Sequence, residues 1–483
     1  MRGSLRTILF LVSVFAILVL TCILFPRNGI TVGSATLRFP SMHEVLVPRE
    51  QLDLEAFLQK EKERKQQYLG SLQDSLLYYA TLADSSDIRF IFPGNDNRFF
   101  DSLFALFDSA SSMNRTVRML HYGDSQIEMD RITSRLRHYM QSRFGGGGPG
   151  LLPVQSITPV TSAGLFGSGN LQLVSSFGDS LSIKSRGDYG PMMQCFRMYG
   201  SAQVAVSASN HRNADSLVKN FSKVTLIFNN NGSGCVRASL SGKQVVASAD
   251  TLVRRQCDGG VSAFAFNLDT AVTSFRLSVD GSADLYGLMV DNGYGVAVDN
   301  IPMRGCSGQQ FAMVDRNLLS QSYRTMDVGL VIMQFGGNSI PYLRTEKSIK
   351  EYAASMGRQI DYVRSCCPDC KVLFIGPSDM STTVNGQRQT YPWMEQVIEA
   401  LSDSVTAHGA AYWSIYHAMG GFNSMPVWVE EGLAGADYIH FSQKGADLMG
   451  DRLAEAFERM YQLYVIRKKI ECVHEESIVV FEE

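Results

Sequence analysis

Residues able to do chemistry gather at two places far apart in the chain. At the first, His121-Tyr122-Gly123-Asp124-Ser125-Gln126, a mostly apolar run from Val117 to Leu120 leads into a Gly-Asp-Ser turn. A helical pattern continues through Ile127, Ile132, Leu136 and Met140. A serine at the end of a strand and the start of a helix lies among free backbone N–H groups and the positive dipole end, which stabilise negative charge near its oxygen. Serine is a weak nucleophile at neutral pH until a base takes its proton, and an imidazole oriented by a carboxylate is the usual base. The second place, Asp437-Tyr438-Ile439-His440, sets those two groups one turn apart ahead of the last helical pattern. Together they predict acyl transfer, with Ser125 as nucleophile, His440 as base and Asp437 as its orienter. The letters repeat at Gly178-Asp179-Ser180, in a polar segment with no helix after it, which reads as a turn. Among the other histidines, His121 points into the sheet or lines the pocket, His408 lies near a helix end, and His417, just after a strand, is the reserve for the base.

Acyl transfer also needs donors for an oxyanion. The Ser125 N–H supplies one, and a close-approaching glycine and a side-chain amide could supply others. Asp299-Asn300-Ile301-Pro302-Met303-Arg304-Gly305 and Phe335-Gly336-Gly337-Asn338 offer both.

These groups need a frame. Val117–Leu120, Leu285–Val290, Val328–Gln334, Lys371–Ile375 and Ala411–Ile415 read as buried parallel strands, with helical patterns between them, notably Ser348–Arg364 and Trp393–His408. Strands joined by such crossovers predict a three-layer α/β sandwich, whose ligands bind at the carboxyl ends of the strands. Ser125 and Asn338 fall just past strand ends, on that edge. Ile88–Gly94 reads as a short strand, Phe99–Phe107 and Ala446–Tyr464 as helices, and Arg467-Lys468-Lys469 as part of a tail. The glycines of Phe144–Gly150 lack the Lys-Ser/Thr of a phosphate loop and predict a tight loop with close backbone approach. From Val154 to Asp284 short alternating runs (Ala202–Val206, Lys223–Phe228, Cys235–Leu240, Ser274–Val279) are separated by Gly/Asn/Ser/Asp turns, the pattern of an antiparallel β-sandwich. The expected division is an N-terminal anchor over 1–27, a helical stalk over 28–84, an α/β domain over 85–153 and 285–465 split by an insert over 154–284, and a tail over 466–483.

The chain has 483 residues, 45% apolar and 19% charged, ordinary for folded protein, and a net charge of −3 that argues against nucleic acid as a partner. Ile8–Phe25 is an uncharged apolar run preceded by Arg2 and Arg6 and closed by Pro26-Arg27. It is long enough to span a bilayer with the N-terminus cytoplasmic. No small-x-small cleavage site comes after it, which favours an uncleaved anchor over a signal peptide. Val19-Leu20-Thr21 lacks the small residue expected before a lipidated Cys22. Glu50–Asp84 has apolar residues at helical spacing and predicts an amphipathic helix or short helical pair. The nine cysteines show no zinc pattern. Cys367-Pro368-Asp369-Cys370, with Cys366 beside it, predicts a local disulfide to Cys370, while Cys195, Cys235, Cys257 and Cys306 could pair or stay buried.

In chain order, Gly123-Asp124-Ser125, Gly305, Gly336-x-Asn338 and Asp437-x-x-His440 resemble the four blocks of the SGNH, or GDSL-type, hydrolase superfamily. The resemblance covers about residues 115–150 and 285–465 and implies a flavodoxin-like α/β/α core. It implies Ser125 as nucleophile, His440 as base, Asp437 as orienter, and the Ser125 and Gly305 N–H groups with the Asn338 amide as oxyanion hole. Gln126 stands where lipase-like members often carry leucine, and Ser339 where an aspartate often follows the asparagine. A β-sandwich between the first two blocks, behind an export segment, is similar to the peptidoglycan O-acetylesterases of bacterial envelopes, in which the insert resembles a carbohydrate-binding module. Tyr189, Phe228 and Tyr286 would then suit sugar contact, and Met419–Asn423 with Trp428 could shape the pocket. The expectation is a membrane-anchored, periplasm-facing serine esterase acting on an O-acetylated polysaccharide, peptidoglycan first, without metal or organic cofactor. Acetyl transfer to a sugar, lipid acyl hydrolysis, a non-catalytic glycan-binding role and a membrane acyltransferase partner are the other readings.

Overall fold

The computed structural model describes residues 2–26, 28–32, 35–46, 54–178, 187–230, 234–243, 252–256 and 260–479. Asp179, Ser180 and Cys257 lie outside them, so the second Gly-Asp-Ser falls largely outside the described residues. The chain forms two compact units, Met1–Gln73 with Val473–Glu483, and Asp74–Cys472. In the first, Arg2–Leu24 is a helix whose Leu5–Leu24 stretch, of mean hydropathy 2.9, is long and apolar enough to cross a membrane. The predicted stalk helix forms as one continuous element, Leu54–Asp84.

A six-stranded sheet in the second unit positions the candidate residues. Its order is Gly295–Pro302, Thr116–Gly123, Val328–Gln334, Lys371–Gly376, Ala411–Ser414 and Phe90–Ile91. The first five strands are parallel and the last is antiparallel. Counted along the chain, the parallel strands run 2-1-3-4-5, an order that reverses direction between strands 1 and 3 and leaves a crevice at their carboxyl ends. Both faces are covered, which is why these strands read as nearly unbroken apolar runs. On one face lie Arg316–Met326, Glu346–Cys366 and Met394–Ala407, through Leu319, Met356 and Leu401. On the other lie Asp101–Ala110, Thr133–Phe144 and Gln443–Val479, through Phe104, Leu136 and Phe457.

One of the five expected parallel strands is replaced by its successor. Leu285–Val290 is the second half of a long antiparallel strand, Ser274–Asp291, and the parallel edge strand is Gly295–Pro302. Asp299 and Asn300 gave that segment the look of a loop. In the fold Asp299 is fully buried, because Arg118 of the adjacent strand donates to its Oδ1 and Oδ2 at 2.9 and 3.1 Å and also pairs with Asp291. The Leu151 N–H adds a bond to Asp299 at 2.7 Å. A buried charge cluster thus fixes the seam between the parallel sheet and the antiparallel unit.

In that unit Ser274–Asp291 is the shared strand. Its first half pairs with Gln194–Ala208 and Val236–Ser241, and its second half with Phe221–Asn230 and Gly150–Leu152, with a register shift between Leu285 and Gly287. Alternate side chains such as Val204, Leu226, Leu240, Phe266 and Leu277 point inward and build a separate apolar core. Phe228 belongs to it, and Tyr189 and Tyr286 are buried in the neighbouring core, so none of the three expected sugar contacts faces solvent.

The glycine-rich loop makes the expected close approach. A Cβ on Gly148, whose φ is +83°, would stand 2.4 Å from Val290 O. The expected disulfide does not form: Cys366, Cys367 and Cys370 are thiols, with Cys370 Sγ on Cys367 O at 3.1 Å and the Cys367 and Cys370 side chains in contact without an S–S bond. Cys195 is a buried thiol and Cys235 is disulfide-bonded. The last helix continues past Tyr464 to Val479, with Ile466 buried and Arg467 paired to Asp101.

Candidate active site

The strand that leads to Ser125 sits between two neighbours at the point of reversal. Gly123 pairs with Pro302 on one side and Gln334 on the other, and the Asp124 N–H bonds Gln334 O at 3.3 Å. The chain then turns under Asp124, whose carboxylate accepts the Gln126 N–H at 3.0 Å. The next element is a short 3-10 turn, Ser125–Asp130, in place of the continuous helix expected. Positive φ angles at Met129, Asp130 and Ile132 separate it from the helix Thr133–Phe144. Asp130 holds this break in place by accepting from Arg137 Nη2 at 2.9 Å and from the Thr161 and Ser162 N–H groups at 3.1 and 3.0 Å.

Across the sheet edge, Asp437 and His440 occupy a self-contained loop. Asp437 Oδ1 accepts the Ile439 and His440 N–H groups at 3.0 and 3.1 Å, and Oδ2 meets His440 Nδ1 at 2.7 Å. Tyr438 between them is left-handed, φ 59°, which folds the imidazole back onto its own carboxylate. Burial pushes the Asp437 carboxyl up, but the His440 ring and the two N–H groups outweigh it and hold the carboxyl below its ordinary range. The far side of the ring reaches the expected nucleophile: Ser125 Oγ stands 2.8 Å from His440 Nε2.

Gly305 and Asn338 reach the same place. Gly305 is left-handed at φ +76° on the turn closed by Cys306 N–H to Met303 O, with open space where a Cβ would lie. Asn338 Nδ2 donates to Asp124 Oδ2 at 3.2 Å and to Cys306 O at 3.1 Å. The Ser125 and Gly305 N–H groups take no acceptor among the described residues. Ser125, Gly305, Asn338 and His440 line one cavity of ≈ 600 Å³, whose wall also carries Arg304 and Tyr342. Asp124 is buried in its wall, and burial pushes its carboxyl up to about 6 against the Gln126 N–H.

The competing histidines lie elsewhere. His121 is fully buried between Gln334 Oε1 at 3.0 Å and Thr133 Oγ1 at 2.9 Å, and burial pushes it down to about 4. His408 pairs with Asp361 at 2.8 Å, and His417 is outside the cavity lining. Met419 and Trp428 are buried behind the His440 loop, with the Trp428 ring 5.1 Å from that of Phe441, and do not line the cavity. Two further contributors carry no signature of their role in the sequence. Gln126 Nε2 donates to Ile439 O at 2.7 Å and Ser378 Oγ at 3.2 Å, and its Oε1 accepts the Phe441 N–H at 3.3 Å. Arg131 donates to Phe441 O at 3.2 Å, to Glu128 O at 3.0 Å and to Ser125 O. No spacing rule marks either, because the atoms through which they hold the His440 loop are backbone atoms 310 residues or more away. Among the described residues, no three His, Cys, Asp or Glu side chains group closely enough to hold a metal ion.

Residues 271–448 match the model of the GDSL-like lipase/acylhydrolase family. The span contains Gly305, Asn338, Asp437 and His440, while Ser125 precedes it and reaches the site through the sheet. A solved structure of a peptidoglycan O-acetylesterase is similar over 79% of this chain and 100% of its own, at 19% identity and a TM-score of 0.59. Two further solved structures match at lower scores. A carbohydrate esterase family 2 enzyme with its carbohydrate binding domain, from Corynascus thermopiles, is 12% identical over 60% of this chain and 99% of its own, with a TM-score of 0.27. The periplasmic domain of a lipopolysaccharide acetyltransferase from Salmonella ser. Paratyphi A is 12% identical over 34% and 73%, with a TM-score of 0.25. No curated protein matches the chain in sequence.

Proposed function

We propose that this chain is a carboxylic ester hydrolase with an SGNH/GDSL-type domain, and that it removes O-acetyl groups from a carbohydrate of the bacterial cell envelope, peptidoglycan first. The observation that carries the chemistry is the 2.8 Å contact from Ser125 Oγ to His440 Nε2, continued at 2.7 Å to Asp437. Ser125 Oγ attacks the acetyl carbonyl as its proton passes to His440 Nε2. The negative oxygen of the tetrahedral intermediate is met by the Ser125 and Gly305 N–H groups and by Asn338, which exchanges its bond to Cys306 O for one to the oxyanion. His440 returns the proton to the leaving sugar oxygen, leaving an acetyl ester on Ser125. Water, deprotonated by His440, attacks that ester and releases acetate.

The cavity wall carries Glu128, Arg131, Arg304 and Asn338 beside Phe335, Tyr342, Met380 and Ile439, a mixed lining whose polar groups can hydrogen-bond the hydroxyls of a sugar ester. The similarity in fold to a peptidoglycan O-acetylesterase favours that polymer as the first to try. The hydrolase domain comprises residues 85–153 and 285–465, and the insert residues 154–284. This insert is a carbohydrate-binding-like β-sandwich. The apolar run of residues 8–25 serves as an inner-membrane anchor, with Arg2 and Arg6 on the cytoplasmic side and the catalytic domain in the periplasm.

The test is acetate release from O-acetylated peptidoglycan and from a second acetylated polysaccharide by the full chain in detergent, beside Ser125→Ala and His440→Ala. Release abolished in both variants is the expected result. No release from any acetyl ester by folded protein would overturn the reading.

A further inference from the structure

The Asp437–His440 loop fixes its imidazole relative to itself and not relative to Ser125. Every bond between the two residues is internal to the loop, and their side chains are 49% and 35% exposed. Something else must hold the loop at the distance where Nε2 takes the serine proton.

We propose that Gln126 is that positioning residue, an inference that rests on Ser125 and His440 being the catalytic couple. Gln126 comes directly after the nucleophile and is buried. Its amide spans His440, giving an N–H to Ile439 O on one side and taking the Phe441 N–H on the other, as a neighbouring strand would. Only one orientation of the amide fits. A flip would set oxygen against Ile439 O and N–H against Phe441 N–H, while the Ser378 hydroxyl, able to donate or accept, meets the amide in either orientation. The catalytic loop is therefore registered to the residue adjoining the nucleophile, so a shift of Ser125 carries His440 with it. Arg131 backs the clamp from behind, joining Phe441 O to Ser125 O. Leucine in place of Gln126 has no donor or acceptor for either peptide group, and asparagine is one methylene too short to span them.

The experiment uses the full chain in detergent with Gln126→Leu and Gln126→Glu, each alone and combined with His440→Ala. The first readout is the rate at which a fluorophosphonate labels Ser125, which needs the Ser–His couple and no glycan. The others are kcat and KM on p-nitrophenyl acetate across pH. Misplacing a catalytic group by about 1 Å costs on the order of a hundredfold. Gln126→Leu is therefore expected to lower labelling and kcat by about ten- to a hundredfold with KM within about twofold. In the His440→Ala background it should lower them no further, because it acts through His440. Gln126→Glu keeps the shape and, when protonated, both hydrogen bonds. Its rate should fall as the new carboxyl ionises, adding a descending limb with rising pH that the parent lacks.

Labelling of Gln126→Leu at the parent rate would overturn the proposal. So would an equal loss in the His440→Ala background, which would mark a structural or direct role. If Gln126→Leu does not fold, Gln126→Glu decides, and a profile parallel to the parent's overturns the proposal. A parent chain that labels at Ser125 but releases no acetate from glycans removes the substrate reading and leaves this inference standing. A parent that does neither removes both.

Discussion

Asn338 donates its side-chain amide to Asp124 Oδ2 at 3.2 Å, so the residue before the nucleophile orients the amide facing the cavity. Asp124 at the same time caps the Ser125 turn through the Gln126 N–H. One buried carboxylate thus sets two of the three proposed oxyanion donors, the Ser125 N–H and the Asn338 amide.

Asp124→Asn tests this double duty. The new amide can still cap the turn through its oxygen, but its NH₂ then faces the NH₂ of Asn338, which must turn its own oxygen toward the cavity. Loss of one oxyanion donor costs about a hundred- to a thousandfold in kcat, and a loss in that range with KM little changed is expected. Stability should respond differently. Burial raises this carboxyl from 3.8 to about 6 in the folded chain, so between those values the folded state binds more protons than the unfolded one. Its contribution to stability therefore declines as pH rises from about 4 through about 6. Melting curves should show that decline in the parent and lack it in the variant, and identical pH dependence would refute the assignment.

Asp437 has the opposite sign. Its carboxyl is held below the ordinary range, so its contribution to stability is present above 3.8 and is lost as pH falls through the lower folded value. The side chain is half-exposed, so the effect on melting is small. The effect on rate is large: Asp437→Asn keeps the hydrogen-bonding shape and loses the charge that supports the imidazolium. A fall in kcat of about a hundred- to ten-thousandfold is expected. A variant within threefold of the parent on p-nitrophenyl acetate would remove Asp437 from the couple.

Arg118→Met probes the seam between the parallel sheet and the antiparallel unit. The arginine is fully buried and pairs with both Asp299 and Asp291. Its removal leaves two carboxylates without compensation in the interior. Breaking a buried pair in this way costs about 3–5 kcal/mol, to be read as a shift in denaturant midpoint. A shift under about 1 kcal/mol would mean that water already reaches the cluster.

The same cluster explains where the sequence could and could not be read. The gathering of Ser125, Gly305, Asn338, Asp437 and His440 at one place was legible because the expectation rested on residue type and on short spacings beside strand ends. Four parallel strands were legible because burial on both faces makes them continuously apolar. Gly295–Pro302 was not, since Asp299 reads as solvent-facing until Arg118 is brought across from another strand. Gln126 and Arg131 were illegible for a related reason: they act on backbone atoms of residues 439 and 441, and a peptide group carries no signature of its own. The spacing of Cys367 and Cys370 suits a disulfide and their side chains do meet, but spacing does not decide whether two thiols in contact are oxidised.

Tyr342 offers a test of what enters the cavity. It stands in the cavity wall beside Pro341 with 78% of its surface exposed, in the 3-10 turn Ile340–Tyr342 just beyond Asn338. An aromatic face open to solvent beside a polar catalytic cavity suits a sugar ring, whose C–H face packs on it while its hydroxyls stay wet. Tyr342→Ala removes that platform and touches no group in the Ser125–His440–Asp437 chain. KM for O-acetylated peptidoglycan is expected to rise about five- to tenfold, the equivalent of roughly 1 kcal/mol. Kinetics on p-nitrophenyl acetate and the melting temperature should stay at the parent values. A rise shared by both substrates would point to a distorted site, and no rise for either would show that the sugar lies along another part of the rim, with Arg304 the next residue to replace.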